Sequence, residues 1–556
     1  EKSFARTVPL WGRYTVTKYL NPNNSFGVYQ LARKNTNLQY LVDYNKTLFG
    51  KHEITFLGGF QYEDFRSESI SAGASNLISN DLPLLNFGDA LTKTNSQGIA
   101  TYAYQSYFGR LNYTFAKKYI VEGTYRVDES SKLAPGLRTK GFAALSGAWN
   151  LHEESWFAMA LPQVTELKFR ASWGQLGGSL GSGFGNYDWA NNLNRGTSLV
   201  LGDTRTAYNY QGSIPSAALT WETITTTNYG FDLGLLNHKL RVTGDYYVKY
   251  NRNMSTPTQL PATLGISAPR KNDGKLKSWG WELEASYRDK IGDKFNYHVS
   301  FNISDNQNKL LSFSNRQVVG KGLNSLIEGY PLQSIFGYKT DGYFTSQDEV
   351  DNWAFQNNKT GAGDVKYQDL DGSGRLTVGD GVVSNTGDLV YLGTNNPRYL
   401  FGLNFGFDYH GFDFTAFFQG VGKRSYMPSV VTLMPLYQSW RSPMQIHSDY
   451  WTPENQNALY PRPYYGSSHN YEASDKWVLN AAYARLKNIQ IGYSLPKTFL
   501  KKTKMDRARV FVSGQDILTI SRMGVFKTIF DPESKNGVVN DYPFFATLSV
   551  GLNINF

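Results

Sequence analysis

The sequence predicts an all-β protein, a transmembrane antiparallel β-barrel with long loops at one end, on three observations. The 556-residue chain carries 38 Tyr, 34 Phe and 12 Trp, yet its mean hydropathy is −0.43. Aromatic and polar residues must therefore be interleaved, as on strands with two unlike faces. Segments of period 2 recur along the whole chain, and no helix-period stretch competes with them. The connections between these segments are by turns very short and very long.

Composition removes several other classes. With 40% hydrophobic and only 18% charged residues, the chain has ample material for burial and is not disordered. No run of about 18 apolar residues exists, which excludes a helical membrane span. The absence of Cys removes disulfide scaffolds and thiolate metal sites. The chain opens Glu1-Lys2-Ser3-Phe4, with no initiator Met and no signal-like apolar stretch, so it is expected to be part of something longer.

In chain order, the alternating segments are Leu38 to Tyr44, Ile54 to Tyr62, Tyr107 to Phe115, Tyr119 to Val127, 141–151, Leu167 to Trp173, Tyr229 to Leu235 and Leu240 to Tyr250. They continue with Trp279 to Tyr287, Tyr297 to Ile303, Tyr399 to Tyr409, 412–420, 481–495 and 508–518. The last is the clearest: Phe544, Ala546, Leu548, Val550, Leu552, Ile554 and Phe556 alternate with residues that, after Phe545, are small or polar. About fifteen strands result, with ends uncertain by a few residues.

Short connections fall near 48–51, 116–118, 152–164, 237–238, 290–293, 410–411 and 495–506. Long ones fall near 67–100, 178–223, 254–277, 307–397, 423–480 and 520–543, with one shorter exception near 132–140. Counting back from Phe556, every short connection lies at the same end. A soluble sandwich or propeller has no reason for that asymmetry, and the fixed period of a propeller is missing. An outer-membrane barrel has tight periplasmic turns and long outer loops. Its apolar residues face lipid, and Arg110, Asn112, Glu122, Arg126, Asp128, Glu282, Glu284 and Arg288 face a wet lumen, where charge is cheap.

Catalytic chemistry is sparse. The seven His are dispersed and form no metal or acid/base motif. Gly177-Gly178-Ser179-Leu180-Gly181 fits the nucleophile-elbow pattern in letters only, since it opens a long glycine-rich loop instead of joining strand to helix. The pI of 9.2 comes from basic residues spread along the chain, so nucleic acid is not an expected partner. The densest group, Lys501, Lys502, Lys504, Arg507 and Arg509, sits at a short turn. Nothing points to a pair of glycosidase carboxylates, and the chain is read as no enzyme.

One loop has metal-ligand spacing. Residues Asp369 to Asp380 read DLDGSGRLTVGD, with oxygen side chains at positions 1, 3, 5, 9 and 12 and Gly at 6, as in a calcium loop. The expected ligands are the side chains of Asp369, Asp371, Ser373 and Asp380, the Arg375 carbonyl, and Thr377 or a water. Asp replaces the usual Glu at position 12, and no flanking helices are evident. The ion expected is a structural Ca²⁺ of modest affinity.

Five segments carry a resemblance. Tyr483 to Pro496 (YARLKNIQIGYSLP), Val510 to Asp516 (VFVSGQD), Phe530-Asp531-Pro532-Glu533 and Tyr542-Pro543 through Phe556 resemble the C-terminal barrel of SusC/RagA transporters, which are TonB-dependent outer-membrane importers. Gly363 to Gly372 (GDVKYQDLDG) resembles a loop that those proteins carry in the same order. The resemblance implies a barrel of roughly 22 strands, of which 1–556 would supply about 15–16 as its C-terminal portion. It also implies an N-terminal plug with a TonB-contacting segment, neither of them in this chain, and a SusD-like surface lipoprotein capping the barrel. A dimer of such pairs is the further assembly it leaves room for.

The function expected is active import of an oligosaccharide or oligopeptide across a bacterial outer membrane. The alternative is a passive porin or a barrel-based adhesin. The loops 307–397 and 423–480 are expected to be extracellular, to meet the lipoprotein and to line the substrate cavity. Their aromatics, Trp189, Trp353, Trp440, Trp451, Tyr464 and Tyr465 among the long loops, are available to stack on sugar rings or pack on the partner.

Overall fold

A computed structural model of the chain describes residues 2–5, 9–10, 18–19, 23–178, 184–258, 260–292, 294–313, 319–324, 326–438, 442–500, 505–534 and 544–556. Sixteen strands form one antiparallel sheet in chain order. They are β1 (Lys2–Ala5), β2 (Ser25–Leu48), β3 (His52–Ser75), β4 (Thr94–Phe115), β5 (Tyr119–Ser130), β6 (Thr139–Asn150), β7 (Val164–Gly177) and β8 (Thr223–Leu235). The remainder are β9 (Leu240–Pro257), β10 (Arg270–Ile291), β11 (Phe295–Ser312), β12 (Arg398–Tyr409), β13 (Phe412–Lys423), β14 (Tyr483–Ser494), β15 (Arg507–Ser521) and β16 (Thr547–Asn555). Every expected strand is present. Among the described residues no helix is long and apolar enough to cross a membrane.

The register sorts side chains onto two faces. Phe295 pairs with Tyr409, Tyr409 with Phe412, and Phe412 with Tyr493. One step up, Tyr297, Phe407, Phe414 and Ile491 line up in the same way. The rings touch, with Phe407–Phe414 centroids 5.3 Å apart and Phe412–Tyr493 centroids 4.5 Å apart. Phe115, Tyr119 and Trp149 continue the row on β4, β5 and β6. This is an aromatic girdle along the short-turn end of the outer face, where ring bodies meet hydrocarbon and polar tips meet water. Above it, the same face exposes Leu111, Val121, Tyr125, Leu145, Phe169 and Tyr229.

Several strands run much further than their apolar pattern, β10 with 22 residues among them. β2, β3 and β4 have 24, 24 and 22 residues, against the 9–11 or so that span a bilayer. Their outer parts, such as Ser67 to Ser75 and Thr94 to Gly98, pair in unbroken register but lack apolar alternation. Beyond the lipid both faces are wet, so only the backbone ladder holds them. The long connection expected at 67–100 is therefore reduced to the stretch between Ser75 and Thr94. At the other end of the chain β16 starts at Thr547, three residues after the expected Phe544, and Tyr542-Pro543 lies outside the described residues.

The outer segments are folded. Between β11 and β12, Gly322–Asn324, Ser334–Gly337 and Val390–Thr394 form a three-stranded sheet, and Thr340–Tyr343 pairs with Val365–Tyr367. A second cluster, between β13 and β14, packs Tyr426, Leu433, Tyr460, Tyr471 and Trp477 with Phe526 and Phe530 from the segment after β15. The turn between β6 and β7, expected as plain connection, holds a short helix, α1 (Ser155–Ala160).

Candidate functional site

The inner face of the wall is a lattice of charge pairs. Arg126 donates to Asp128 at 2.5 Å and to Ser106 at 2.8 Å, and Asn112 donates to Glu122 at 3.2 Å. Arg170 donates to both Asp232 at 2.9 Å and Asp245 at 3.2 Å. Arg509 Nε reaches Asp413 at 2.8 Å. Glu282, Glu284, Arg110 and Arg288 are exposed on this same face. All eight residues expected in the lumen are thus opposite the apolar wall.

Near the mouth, β14 breaks its alternation. Phe417 pairs with Asn488 and Phe418 with Leu486, leaving Lys487 as an extra residue. Asp516 on β15 takes φ 54° opposite it. Uninterrupted alternation places Arg485 on the lipid side with Ile489 and Ile491, whereas the bulge turns it inward. There Arg485, 1% exposed, meets Asp531 at 2.5 Å and Glu533 at 3.3 Å. Tyr483 donates to Glu533 at 2.8 Å, and the Arg485 guanidinium lies 4.1 Å above the Phe544 ring. Two of the segments singled out in the sequence, YARLKN and FDPE, are therefore the two sides of one contact.

A third, GDVKYQD, clasps the two long outer segments together. Asp364 is fully buried and accepts from Gly361 N at 2.9 Å, Asn470 Nδ2 at 2.8 Å and Tyr464 Oη at 3.2 Å, with His469 Nε2 at 3.0 Å. Val365 N donates to Asn470, and Tyr367 Oη donates to the His469 carbonyl. Gly363 has φ 90°, and a Cβ there would stand 2.4 Å from the Trp451 ring, so glycine is required on both counts. The Asp364 carboxylate raises the Tyr464 hydroxyl to about 12, after burial as the first cause.

The calcium-type loop follows directly. Asp369 accepts from the N–H groups of Gly372, Ser373 and Gly374, at 2.8, 3.2 and 2.7 Å, and so curls the chain around itself. Gly372 and Gly374 sit at φ 71° and 75°, the left-handed region that this curl needs. Asp371 accepts from Ser373 N at 2.9 Å and Thr377 Oγ1 at 3.1 Å. Contacts with Ser373, side chain first and then N–H, hold its carboxyl below the ordinary value. Ser373 Oγ donates to the Arg375 carbonyl at 2.8 Å. Asp380 accepts from Asn385 at 2.9 Å. The carboxylates that converge, with ligand atoms within 4.8 Å of one another, are Asp369, Asp371 and Asp388. Buried Asp388 also accepts from Leu370 N, Asp371 N and Thr377 N. It lies beyond the twelve-residue spacing pattern, which is why sequence spacing missed it.

The loop aromatics are mostly committed to contacts within the chain. Trp353 Nε1 donates to the Tyr367 carbonyl at 2.7 Å, Trp451 is buried and Trp189 Nε1 donates to the Ser131 carbonyl at 3.3 Å. Tyr465 remains largely exposed. Trp440, Ser179, Leu180, Gly181, Lys501, Lys502 and Lys504 lie outside the described residues. A cavity of about 330 Å³ lies below the three-stranded outer sheet, lined by Trp279, Asn306, Asn308, Lys309, Tyr391 and Lys423 among others.

No protein-family profile matches the chain. TonB-dependent receptor P3 of Formosa agariphila is 28% identical over 544 residues, covering 94% of this chain and 52% of that one. The TonB-dependent receptor SusC of Bacteroides thetaiotaomicron is 26% identical over 472 residues, 81% of this chain and 43% of that one. In structure, the RagAB peptide transporter superposes with a TM-score of 0.79 at 20% identity, over 97% of this chain and 57% of that chain. The chain is thus similar to SusC/RagA-type TonB-dependent receptors and has the fold of an outer-membrane β-barrel. It spans about half the length of the curated relatives it matches. Their names are those of receptors and transporters, in keeping with a chain that is not an enzyme.

Proposed function

We propose that this chain forms most of the wall and outer loops of a TonB-dependent importer of oligosaccharides or oligopeptides. The observation that carries the reading is a sixteen-stranded wall with a charged inner face and all its long, folded connections at one end. A wet lumen of this kind conducts polar solutes, and likeness to TonB-dependent receptors supports energy coupling through a plug supplied by the rest of the protein. A SusD-like lipoprotein is the proposed cap, seated on the outer body formed by 313–397 and 424–482, with a dimer of such pairs as the larger assembly. Ca²⁺ is proposed as a structural ion held by Asp369, Asp371 and Asp388, whose hard oxygens suit it. The Ser373 hydroxyl, the Arg375 carbonyl and Thr377 stand beside this group.

The test is uptake of labelled glycans and peptides by cells carrying the full-length protein, with and without TonB. Uptake lost without TonB supports an importer; uptake that persists identifies a passive porin. Shortening 430–478 while the barrel still assembles is expected to release the lipoprotein from the purified complex.

A further inference from the structure

Helix α1 sits in one of two longer turns at its end of the barrel, the other being 495–506 with a short helix at Lys497–Leu500. Its neighbours connect their strands in a few residues, as paired strands about 5 Å apart allow. Between β6 and β7 the chain instead spends 151–163 on a 3-10 turn and α1. Closing the hairpin does not require them.

The attachment of this turn is specific. Glu154, immediately before α1, accepts from Lys118 Nζ at 2.7 Å, Tyr119 Oη at 2.6 Å and Trp149 Nε1 at 3.3 Å. Tyr119 and Trp149 are cross-strand partners in the aromatic girdle, their rings stacked with centroids 6.4 Å apart. The helix is thereby tied to the outer, apolar face of the wall at its periplasmic rim. Leu151 and Phe157 turn into the protein, whereas Trp156, Met159 and Leu161 are 58%, 78% and 50% exposed. Three large apolar side chains within six residues are left half or more exposed, Trp156 with only its edge contact to Phe157, and they are directly continuous with a surface that faces lipid.

We infer that α1 is an interfacial anchor, lying in the periplasmic leaflet with Trp156, Met159 and Leu161 among phospholipid chains. Amphipathic segments rest at this depth, apolar groups in the acyl boundary and charged groups in the headgroups. The Lys118–Glu154 pair and the polar tips of Tyr119 and Trp149 form the headgroup layer here, and α1 extends the girdle sideways from it. Continuity with the lipid face selects lipid over a periplasmic protein as the occupant.

This chain has no Cys, so single labels are straightforward. Nitroxides are placed at Met159→Cys, Trp156→Cys, Lys117→Cys and Tyr125→Cys in the full-length transporter. Any cysteine elsewhere in it is replaced, and the protein is reconstituted in phosphatidylethanolamine/phosphatidylglycerol vesicles. Position 117, on the exposed tip of the neighbouring turn, is the aqueous reference, and 125, mid-wall, is the lipid reference. The expected result is that labels at 159 and 156 relax faster with oxygen than with a water-soluble nickel chelate, the reverse of 117. Chelate access equal to that at 117 places α1 in water, and shielding from both relaxants places it under protein; either overturns the proposal. The mid-wall label separates that failure from a failure of the barrel reading itself.

Discussion

At the scale of single residues, the outer body depends on carboxylates used in two ways. Asp364 is saturated with donors and buried, so its charge is satisfied within the protein. Asp369, Asp371 and Asp388 are gathered within 4.8 Å with like charges adjacent, an arrangement that a divalent cation relieves. Sequence spacing names the first two together with Asp380, which accepts from Asn385. Asp388 was invisible because its position depends on the Thr377 to Asp388 contact, a tertiary feature. Asp369→Ala combined with Asp371→Ala is expected to remove calcium-dependent protection of 365–389 from hydrogen exchange, while the barrel still migrates as a folded species. In the unsubstituted protein that protection should half-saturate at about 0.1–1 mM Ca²⁺, the range of extracellular modules. Protection indifferent to Ca²⁺ in the unsubstituted protein would rule the ion out.

At the scale of elements, the membrane-spanning part of each strand was legible because lipid on one face and water on the other enforce period 2. The outer extensions of β2, β3 and β4 were not, since water on both faces leaves only backbone pairing. The bulge at Lys487 shows in YARLKNIQIGYS only as a change of phase, from Leu486 to Ile489 and Ile491, which by itself does not say that Arg485 turns inward onto Asp531. The folded outer loops hold a further element-scale effect at Lys476. Its ammonium lies 4.5 Å above the Tyr343 ring and 5.2 Å from that of Trp477. Burial pushes it down to about 8, with Asp449 and Asp475 opposing. An ordinary Lys titrates near 10.4, so between about pH 8 and 10.4 the unfolded chain holds a proton that the folded one has released. The outer body therefore gains stability as pH rises through that window, and the full penalty applies below pH 8. Proteolytic resistance of the loops is expected to rise from pH 7.5 to 9.5 in the unsubstituted protein. Lys476→Met should start higher and stay flat, and a parallel slope in that variant would contradict the assignment.

At the scale of the whole molecule, the wall is a sheet with two ends. Among the described residues β16 pairs only with β15, and β1 only with β2. β16 exposes Leu548, Val550 and Leu552 on one side and an unpaired row of backbone N–H and C=O groups along its free edge. A long edge of that kind is a template for strand addition, which barrels abolish by closure. In a TonB-dependent transporter the strands preceding this portion would close the gap. Expressed alone, the chain is then expected to aggregate without detergent and, in detergent, to remain polydisperse. Co-expression with the preceding half of the protein should yield a single heat-modifiable species, and cysteines on β16 should cross-link to that half. The outcome incompatible with the barrel is a water-soluble monomer of 1–556, because its girdle, apolar wall and open edge would then all lie in water.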